Sequence, residues 1–514
     1  MTTYDAIVVG GGHNGLVAAA YLGRAGRRVL LLERLDQVGG AAVSARAFNG
    51  VDARLSRYSY LVSLLPTRIV DDLGARVRLA RRRYSSYTPD PSTGGRTGLL
   101  IGPHGGHDPL AGDTFASIGA ATDADRFAEF YRRCRAVTGR LWPTLIEPLL
   151  TRGQARELVG DDPAWRFMIN EPIGQAITAA VSSDLVRGLI GTDALIGTFA
   201  RLGDESLRQN ACFLYHLIGG GTGDWDVPIG GMGAVTGALA GVAAQNGVEL
   251  LTGAEVFGID ADGEVRFRFG DGERRAHGRF VLSGVAPAVL ARLLGDPEPI
   301  TLPGAQVKVN MMLRRLPRLR DETVTAEQAF GGTFHINETW GQLETAYAQA
   351  ASGVIPDPLP CEIYCHSLTD PGILSQPLRA SGAHTLTVFG LHTPHGLVDP
   401  DRERLTDAVL KSLNSVLAEP IQDAVMHDAD GRDCIETKTT PDLERTLAMT
   451  AGNIFHGGLT WPFAEDDEPL DTPARRWGVA TAHSRILLCG SGSRRGGGVS
   501  GIGGHNAAMA VLES

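Results

Sequence analysis

Lysine is almost missing from this chain. Among its 514 residues only Lys308, Lys411 and Lys438 occur, so arginine makes up nearly all of the 48 basic side chains. Acidic residues number 58, for a formal net charge of -10, which argues against nucleic acid as the main partner because phosphate backbones need a basic face. Cysteine is also sparse. Cys134, Cys212, Cys361, Cys365, Cys434 and Cys489 are scattered, which excludes the dense disulfide framework of a small secreted domain. Cys361, Ile363 and Cys365 alternate like one face of a strand and no second Cys/His pair lies nearby, so no metal site is expected. No uninterrupted run of about 20 apolar residues is present, so no spanning helix is expected. The ordered fold is expected to begin at Tyr4, with no room for a signal or transit peptide before it, and the setting to be soluble, reducing and cytoplasmic.

Glycine, in contrast, is abundant. Its 66 residues cluster in short runs, as expected where backbone approaches a ligand closely. With 43% hydrophobic and 21% charged residues the composition is globular. Single cores stop growing at roughly 250–300 residues, so two or more folding units are expected. One basic run stands out: Arg76, Arg78, Arg81, Arg82 and Arg83. It reads as a solvated face, with an anionic substrate mouth or a peripheral membrane contact as the alternatives.

Tyr4-Asp5-Ala6-Ile7-Val8-Val9 reads as a buried parallel strand, residues 16–22 as a helix, and Val29-Leu30-Leu31-Leu32-Glu33 as the next strand, a βαβ start in about thirty residues. A hairpin is expected around Leu99-Leu100-Ile101. Helical text follows from Asp123 to about Leu150 and from Gln175 to Leu217. A second nucleotide-domain segment starts near Gly230, with a helix at 234–245, strands at 249–252, 255–260, 264–269 and 279–283, and a turn at Asp271-Gly272. A final strand at 485–489 meets Gly490, Gly492 and Gly496–Gly498, and the closing helix runs from about Gly503 to Leu512.

Gly10-Gly11-Gly12-His13-Asn14-Gly15 is G-x-G-x-x-G, a weak signal alone but a specific one between a strand and a helix. Gly10 permits the tight turn, Gly12 the approach of backbone to a pyrophosphate, and Gly15 close helix–strand packing. The helix N-terminus offers unpaired N–H groups to phosphates. Glu33 would accept hydrogen bonds from a ribose and repel a 2′-phosphate, while Arg34 keeps NADP open. The fingerprint does not choose between NAD and FAD. Gly39-Gly40, a second close-approach point, and the absence of a second full fingerprint in the C-terminal glycines point to one FAD held by both ends of the chain.

These motifs, with Val38-Gly39-Gly40-Ala41-Ala42, Ser56-Arg57-Tyr58-Ser59-Tyr60-Leu61, Gly230-Gly231-Met232-Gly233-Ala234, Gly452-Asn453-Ile454-Phe455-His456-Gly457 and Cys489-Gly490-Ser491-Gly492, resemble the phytoene desaturase and flavin amine oxidase superfamily over nearly the whole chain. More narrowly they resemble the branch called pyridine nucleotide-disulfide oxidoreductase domain-containing protein 2. No redox Cys-x-x-Cys is present, so disulfide chemistry is not implied. The resemblance implies an α/β fold: a Rossmann-like, discontinuous FAD-binding domain of the GR2 type (1–90, 218–290 and 450–514) with an inserted α+β substrate or cap domain (91–217 and 291–449). It places Gly39, Gly40 and Ala41 near the flavin, with Tyr58 and Ser59 in a neighbouring motif. Gly231 and Met232 would lie beside the ring and Val256 beside the adenine. Gly490, Gly498 and Val499 would cover pyrophosphate and ring.

Where relatives often carry His-Pro, this chain has Arg494-Arg495. These would stabilise a reduced flavin or bind an anionic substrate group, or else point to solvent or acids. Lys308 lies on an alternating strand-like run, Gln306-Val307-Lys308-Val309-Asn310, and looks like the lysine that holds water at the flavin in amine oxidases. His456 is a candidate acid or base, with a structural role as the alternative. His13 is expected beside phosphate, and Asn506 at the start of the last helix suits phosphate or flavin carbonyl. The expected activity is an FAD-dependent dehydrogenase, desaturase or oxidase. It would take a hydride from an organic, fairly apolar small molecule and be reoxidised by oxygen or quinone. The alternatives are a redox-neutral flavin isomerase and a flavoprotein kept for binding or regulation.

Overall fold

The computed structural model describes residues 2–103, 114–397 and 402–514. The first strand, Thr2–Val9, is buried on both faces. Ala6 and Val8 join one apolar cluster while Tyr4, Ile7 and Val9 join another. A strand enclosed in this way reads as a continuous apolar run, the mark of a parallel sheet covered on two sides. It pairs in parallel with Val29–Leu32 on one side and with Gly272–Ser283 on the other. The seven-stranded sheet runs Ala254–Ile259, Glu264–Phe269, Gly272–Ser283, Thr2–Val9, Val29–Leu32, Glu249–Leu251, and Ile486–Leu488 pairs in parallel with Gly272–Ser283. The antiparallel arm begins at the turn expected at Asp271-Gly272.

Three helices bury their small-residue faces in the larger cluster: His13–Arg24, Met232–Gln245 and Ile502–Leu512. The contact between the first and last depends on glycine. A Cβ at Gly504 would lie 2.0 Å from the Asn14 carbonyl oxygen. The two ends of the sequence thus meet directly over the glycine loop. This is a Rossmann-like α/β unit assembled from discontinuous segments, as expected.

A second seven-stranded sheet runs Ile435–Lys438, Gln306–Leu313, His384–Leu391, Cys361–Tyr364, Thr333–Ile336, Ser86–Pro89, Gly98–Ile101. Its strand Gln306–Leu313 shows the expected alternation. Val307, Val309 and Met311 enter one apolar cluster, while Gln306, Lys308 and Asn310 face the other way. Each fully buried aliphatic side chain of this kind contributes about 1.5–3 kcal/mol. Cys361, Ile363 and Cys365 share that cluster. The hairpin at 86–101 forms as expected, but Ser86–Pro89 pairs with Thr333–Ile336 and so joins the second sheet, although the sequence division grouped it with the nucleotide segment.

Residues 124–218 contain several helices, including Ala124–Leu141, Ile173–Ala180, Asp184–Thr192 and Arg208–Ile218, with turns over 193–207 where helix was expected. The helix expected to reach Leu150 stops at Leu141. Pro143 lacks an N–H, and the chain tightens into a 3₁₀ turn over Trp142–Ile146. Among the described residues no helix is long and apolar enough to cross a membrane. All six cysteines are buried and free.

Candidate functional site

A cavity of about 530 Å³ extends from the glycine loop of the first sheet to the face of the second sheet that carries Lys308. That volume suits a small organic molecule or part of a dinucleotide. At the first-sheet end its wall includes Gly10, Gly12, His13, Asn14, Glu33, Arg34, Gly40, Ala41 and Val256. The loop is tightly built. Gly39 donates its N–H to the Gly11 carbonyl at 2.8 Å, which lays Gly39-Gly40 against Gly12. A Cβ at Gly15 would meet the Gly10 carbonyl oxygen at 2.1 Å, so Gly15 serves helix–strand packing rather than the cavity. A Cβ at Gly12 would meet nothing within 4 Å, which leaves its backbone open to a ligand.

Both amide atoms of the buried Asn14 side chain lack a partner among the described residues. Leaving such a group dry and unpaired costs about 1–3 kcal/mol, so a polar occupant fits here. Glu33 accepts the Gly11 N–H at 2.7 Å and the Leu35 N–H at 2.8 Å, which fixes its carboxylate at the cavity wall. Arg34 reaches away, donating to the Thr446 carbonyl at 2.8 Å. His13 contacts the Gly498 carbonyl at 3.1 Å. Burial, and then nearby His456, hold its pKa down to about 4, so it is a neutral ring at pH 7. Backbone from the C-terminal segment, Gly490, Gly498 and Val499, closes this end.

The second-sheet end is aromatic and cationic. Lys308 is 5% exposed and lines the cavity, with its Nζ donating to the Ser56 and Tyr58 carbonyls at 2.7 and 2.6 Å. Its ammonium lies 4.6 Å from the centre of the Tyr60 ring, and burial pushes its pKa well below the usual lysine range. Two of its three donors are thus held by the Ser56–Tyr58 segment, leaving one for a ligand or water. The Tyr60 ring packs against Tyr364, tilted by 44° with centroids 4.7 Å apart, and the Arg82 guanidinium lies 5.9 Å over the Tyr364 ring. Beyond Arg82 come Trp225 and His216, with rings 4.8 Å apart. Ser59 donates its hydroxyl to the Ala41 carbonyl at 2.7 Å and ties the two ends together. His456 also lines the cavity, in a left-handed conformation (φ 62°). Burial holds its pKa down to about 4, and its Nδ1 has no partner among the described residues.

Behind this wall lies a buried acid–histidine cluster that the sequence did not reveal. Tyr364 donates its hydroxyl to Glu362, and His335 Nδ1 sits 2.7 Å from Glu338. Ligating atoms of His335, Glu338 and Glu362 lie within 4.8 Å of one another. His216 Nε2 lies 3.2 Å from Asp193. Burial pushes Asp193 up to about 7; burial and then the Glu338 charge do the same to Glu362. His216 is held down to about 4, mainly by burial. All these shifts favour uncharged forms, because ionising several carboxyls in one dry site is costly.

Five expected site residues lie elsewhere. Arg494 donates to the Phe463 carbonyl at 2.6 Å and pairs with Glu468 at 2.9 Å. Arg495 is 1% exposed, and its guanidinium donates to the Thr144, Glu147 and Trp477 carbonyls at 2.9, 2.7 and 3.0 Å. Carbonyls on other segments therefore take up the donors that sequence reading assigned to the ring. Asn506 Nδ2 donates to the Leu145 carbonyl at 3.1 Å instead of facing the cavity. Gly231 packs against Ser44, since a Cβ there would lie 2.5 Å from its Oγ. Met232 is fully buried and donates its N–H to Ser56 Oγ at 3.2 Å, so both support the segment that holds Lys308. Tyr60, Arg82, His216, Trp225, Tyr364 and Phe389 line the cavity without having been candidates for the site. Tyr60 had a signal in the Ser56–Leu61 motif and Arg82 in the basic run.

Residues 8–69 match the NAD(P)-binding Rossmann-like domain family. Over 99% of its length the chain is 68% identical to the uncharacterized protein Rv0897c of Mycobacterium tuberculosis, covering 97% of it. It is 29% identical to the mouse pyridine nucleotide-disulfide oxidoreductase domain-containing protein 2, over 99% of this chain and 93% of that one. The chain belongs to one family with the Mycobacterium tuberculosis protein. A solved structure of putrescine oxidase bound to putrescine shares the fold, with a TM-score of 0.55, 16% identity, and coverage of 99% of this chain and 98% of that one.

Proposed function

We propose that this chain is a flavin-dependent oxidoreductase of the flavin amine oxidase type, which binds one FAD along the cavity and uses it to oxidise an organic, largely apolar small molecule at the second-sheet end. One observation carries this reading. A single cavity joins a dinucleotide fingerprint, with an open Gly12 and an unpartnered Asn14, to an aromatic wall formed by Tyr60, Tyr364 and Phe389. The segments that supply the two ends divide the chain into a cofactor unit and a substrate unit.

The glycine loop and the first helix N-terminus would hold the pyrophosphate, Glu33 the ribose, and Val256 the adenine. Bound FAD supplies a two-electron acceptor, so the protein needs little acid–base machinery of its own. Its own residues orient and exclude. Tyr60, Tyr364 and Phe389 enclose an apolar substrate body and keep water out. Lys308, held at Ser56 and Tyr58, presents its remaining N–H to that space and favours negative charge developing there. Reoxidation by oxygen or a quinone fits a chain with one fingerprint. The test is to purify the protein, denature it and identify the released chromophore. FAD at about one per chain is expected; a colourless protein that takes up no added FAD contradicts the reading.

A further inference from the structure

Of the basic run at 76–83, Arg81 is neutralised locally, pairing with Asp224 and Asp226 at 2.7 and 3.2 Å. Arg82 is different. It turns inward and lines the cavity. Its Nε donates to the Trp225 carbonyl at 3.0 Å and its Nη1 to Thr333 Oγ1 at 2.7 Å. Both partners are neutral. Its Nη2 makes no hydrogen bond, and no carboxylate lies within 4.0 Å of it, among the described residues. The guanidinium is thus fixed by two neutral acceptors with part of its donor fork unused. Guanidinium is always charged and matches carboxylate geometry with two parallel N–H bonds.

The charge around the cavity leans the same way. The lining carboxylates, Glu33 and Glu255, both belong to the first-sheet end. The second-sheet end carries the Arg82 guanidinium, the Lys438 amine and the Lys308 amine, the last drawn by burial toward its uncharged form. The acids behind that wall, Glu362 and Asp193, are covered by Tyr364 and His216 and are drawn toward their uncharged forms by burial. A diamine such as the putrescine seen in the related fold would find no lining carboxylate at the second-sheet end among the described residues. An anion would find a guanidinium that feels Glu362 and Asp226 at a distance but has no carboxylate in contact among the described residues.

We propose that the substrate is an apolar or aromatic carboxylate, its anionic head bound by the Arg82 guanidinium and its body enclosed by Tyr60, Tyr364 and Trp225. This rests on the flavin-oxidoreductase reading and names the class of molecule that the same site takes.

The test titrates the purified protein with benzoate, phenylacetate, 4-phenylbutyrate and octanoate, and with the corresponding neutral amides. Calorimetry and the visible flavin spectrum are the readouts. At least one acid is expected to bind ~10-fold or more tightly than its amide, the factor that charge-assisted hydrogen bonds supply. In Arg82→Gln that preference should vanish, and in Arg82→Lys it should return in part, because a point charge replaces the fork. The acid–amide comparison in the unmodified protein stands even if a variant misfolds. The proposal is overturned if no acid outbinds its amide, or if a folded, flavin-loaded Arg82→Gln keeps the preference. A protein that lacks flavin yet prefers acids by calorimetry sinks the oxidoreductase reading and leaves the anion site standing.

Discussion

At one end of the cavity, Gly10, Gly12, His13 and Asn14 come from a single short loop. At the other, Arg82, His216, Trp225, Lys308 and Tyr364 come from separate segments that meet only once the second sheet and the helical region are assembled. The loop end works through backbone: open N–H groups, glycines without Cβ, a helix start. The sheet end works through side chains whose charge and aromatic surface define what can enter. The first arrangement suits a ligand shared by many proteins. The second can change with each substrate without disturbing the first.

The sharpest way to break the loop end is Gly15→Ala. Its Cβ would have to displace the Gly10 carbonyl from 2.1 Å, so we expect loss of bound FAD and destabilisation of about 3 kcal/mol or more, read by flavin content and urea unfolding. At the sheet end, Lys308→Met should leave flavin bound but slow its reoxidation by roughly tenfold, about 1.4 kcal/mol of barrier. Stopped-flow mixing of reduced protein with oxygen measures this, and an unchanged rate removes Lys308 from the chemistry.

Behind the wall, Glu362→Gln probes the buried acids. Glu362 sits at about 7 in the folded protein, above the value of roughly 4.3 for a free glutamate. Between these values the native state binds more protons than the unfolded one, so this group's contribution to stability falls as pH rises through that window. Glutamine escapes that loss. The variant should gain on the order of 1 kcal/mol over the native protein at pH 8, and the gain should shrink toward pH 5. Urea unfolding at the two pH values decides; an equal difference at both would show that Glu362 is ionised throughout. The smallest effect is expected from Arg494→Ala. Its partners Phe463 and Glu468 do not line the cavity, so turnover should stay within about twofold, with a stability loss of about 1 kcal/mol or less.

The comparison also explains what the sequence made legible. Gly10–Gly15 could be read because function and local structure coincide in consecutive residues. Lys308 could be read because strand alternation separates Gln306, Lys308 and Asn310 from Val307 and Val309, and the sheet preserves that separation. Arg494, Arg495 and Asn506 were misplaced because nearness in sequence to a glycine loop does not fix where a long side chain points. Carbonyls at Thr144, Leu145 and Glu147 draw Arg495 and Asn506 away. Tyr364 and Glu362 were hidden because they share the strand face opposite Cys361 and Ile363, both faces are buried, and nothing local tells which one meets a cavity. Arg82 was visible only as one of five arginines. Its role depends on Trp225 and Thr333, which the fold brings to it from distant segments.

The central claim is that one dinucleotide spans both ends of this cavity. A crystal structure with FAD bound tests it most directly. We expect the adenosine at Glu33 and Val256, the pyrophosphate over Gly12 and Asn14, and the isoalloxazine beside Lys308 and Tyr60. A flavin ring outside the Lys308–Tyr60 wall, or a dinucleotide lying away from the Gly10–Gly15 loop, would contradict it.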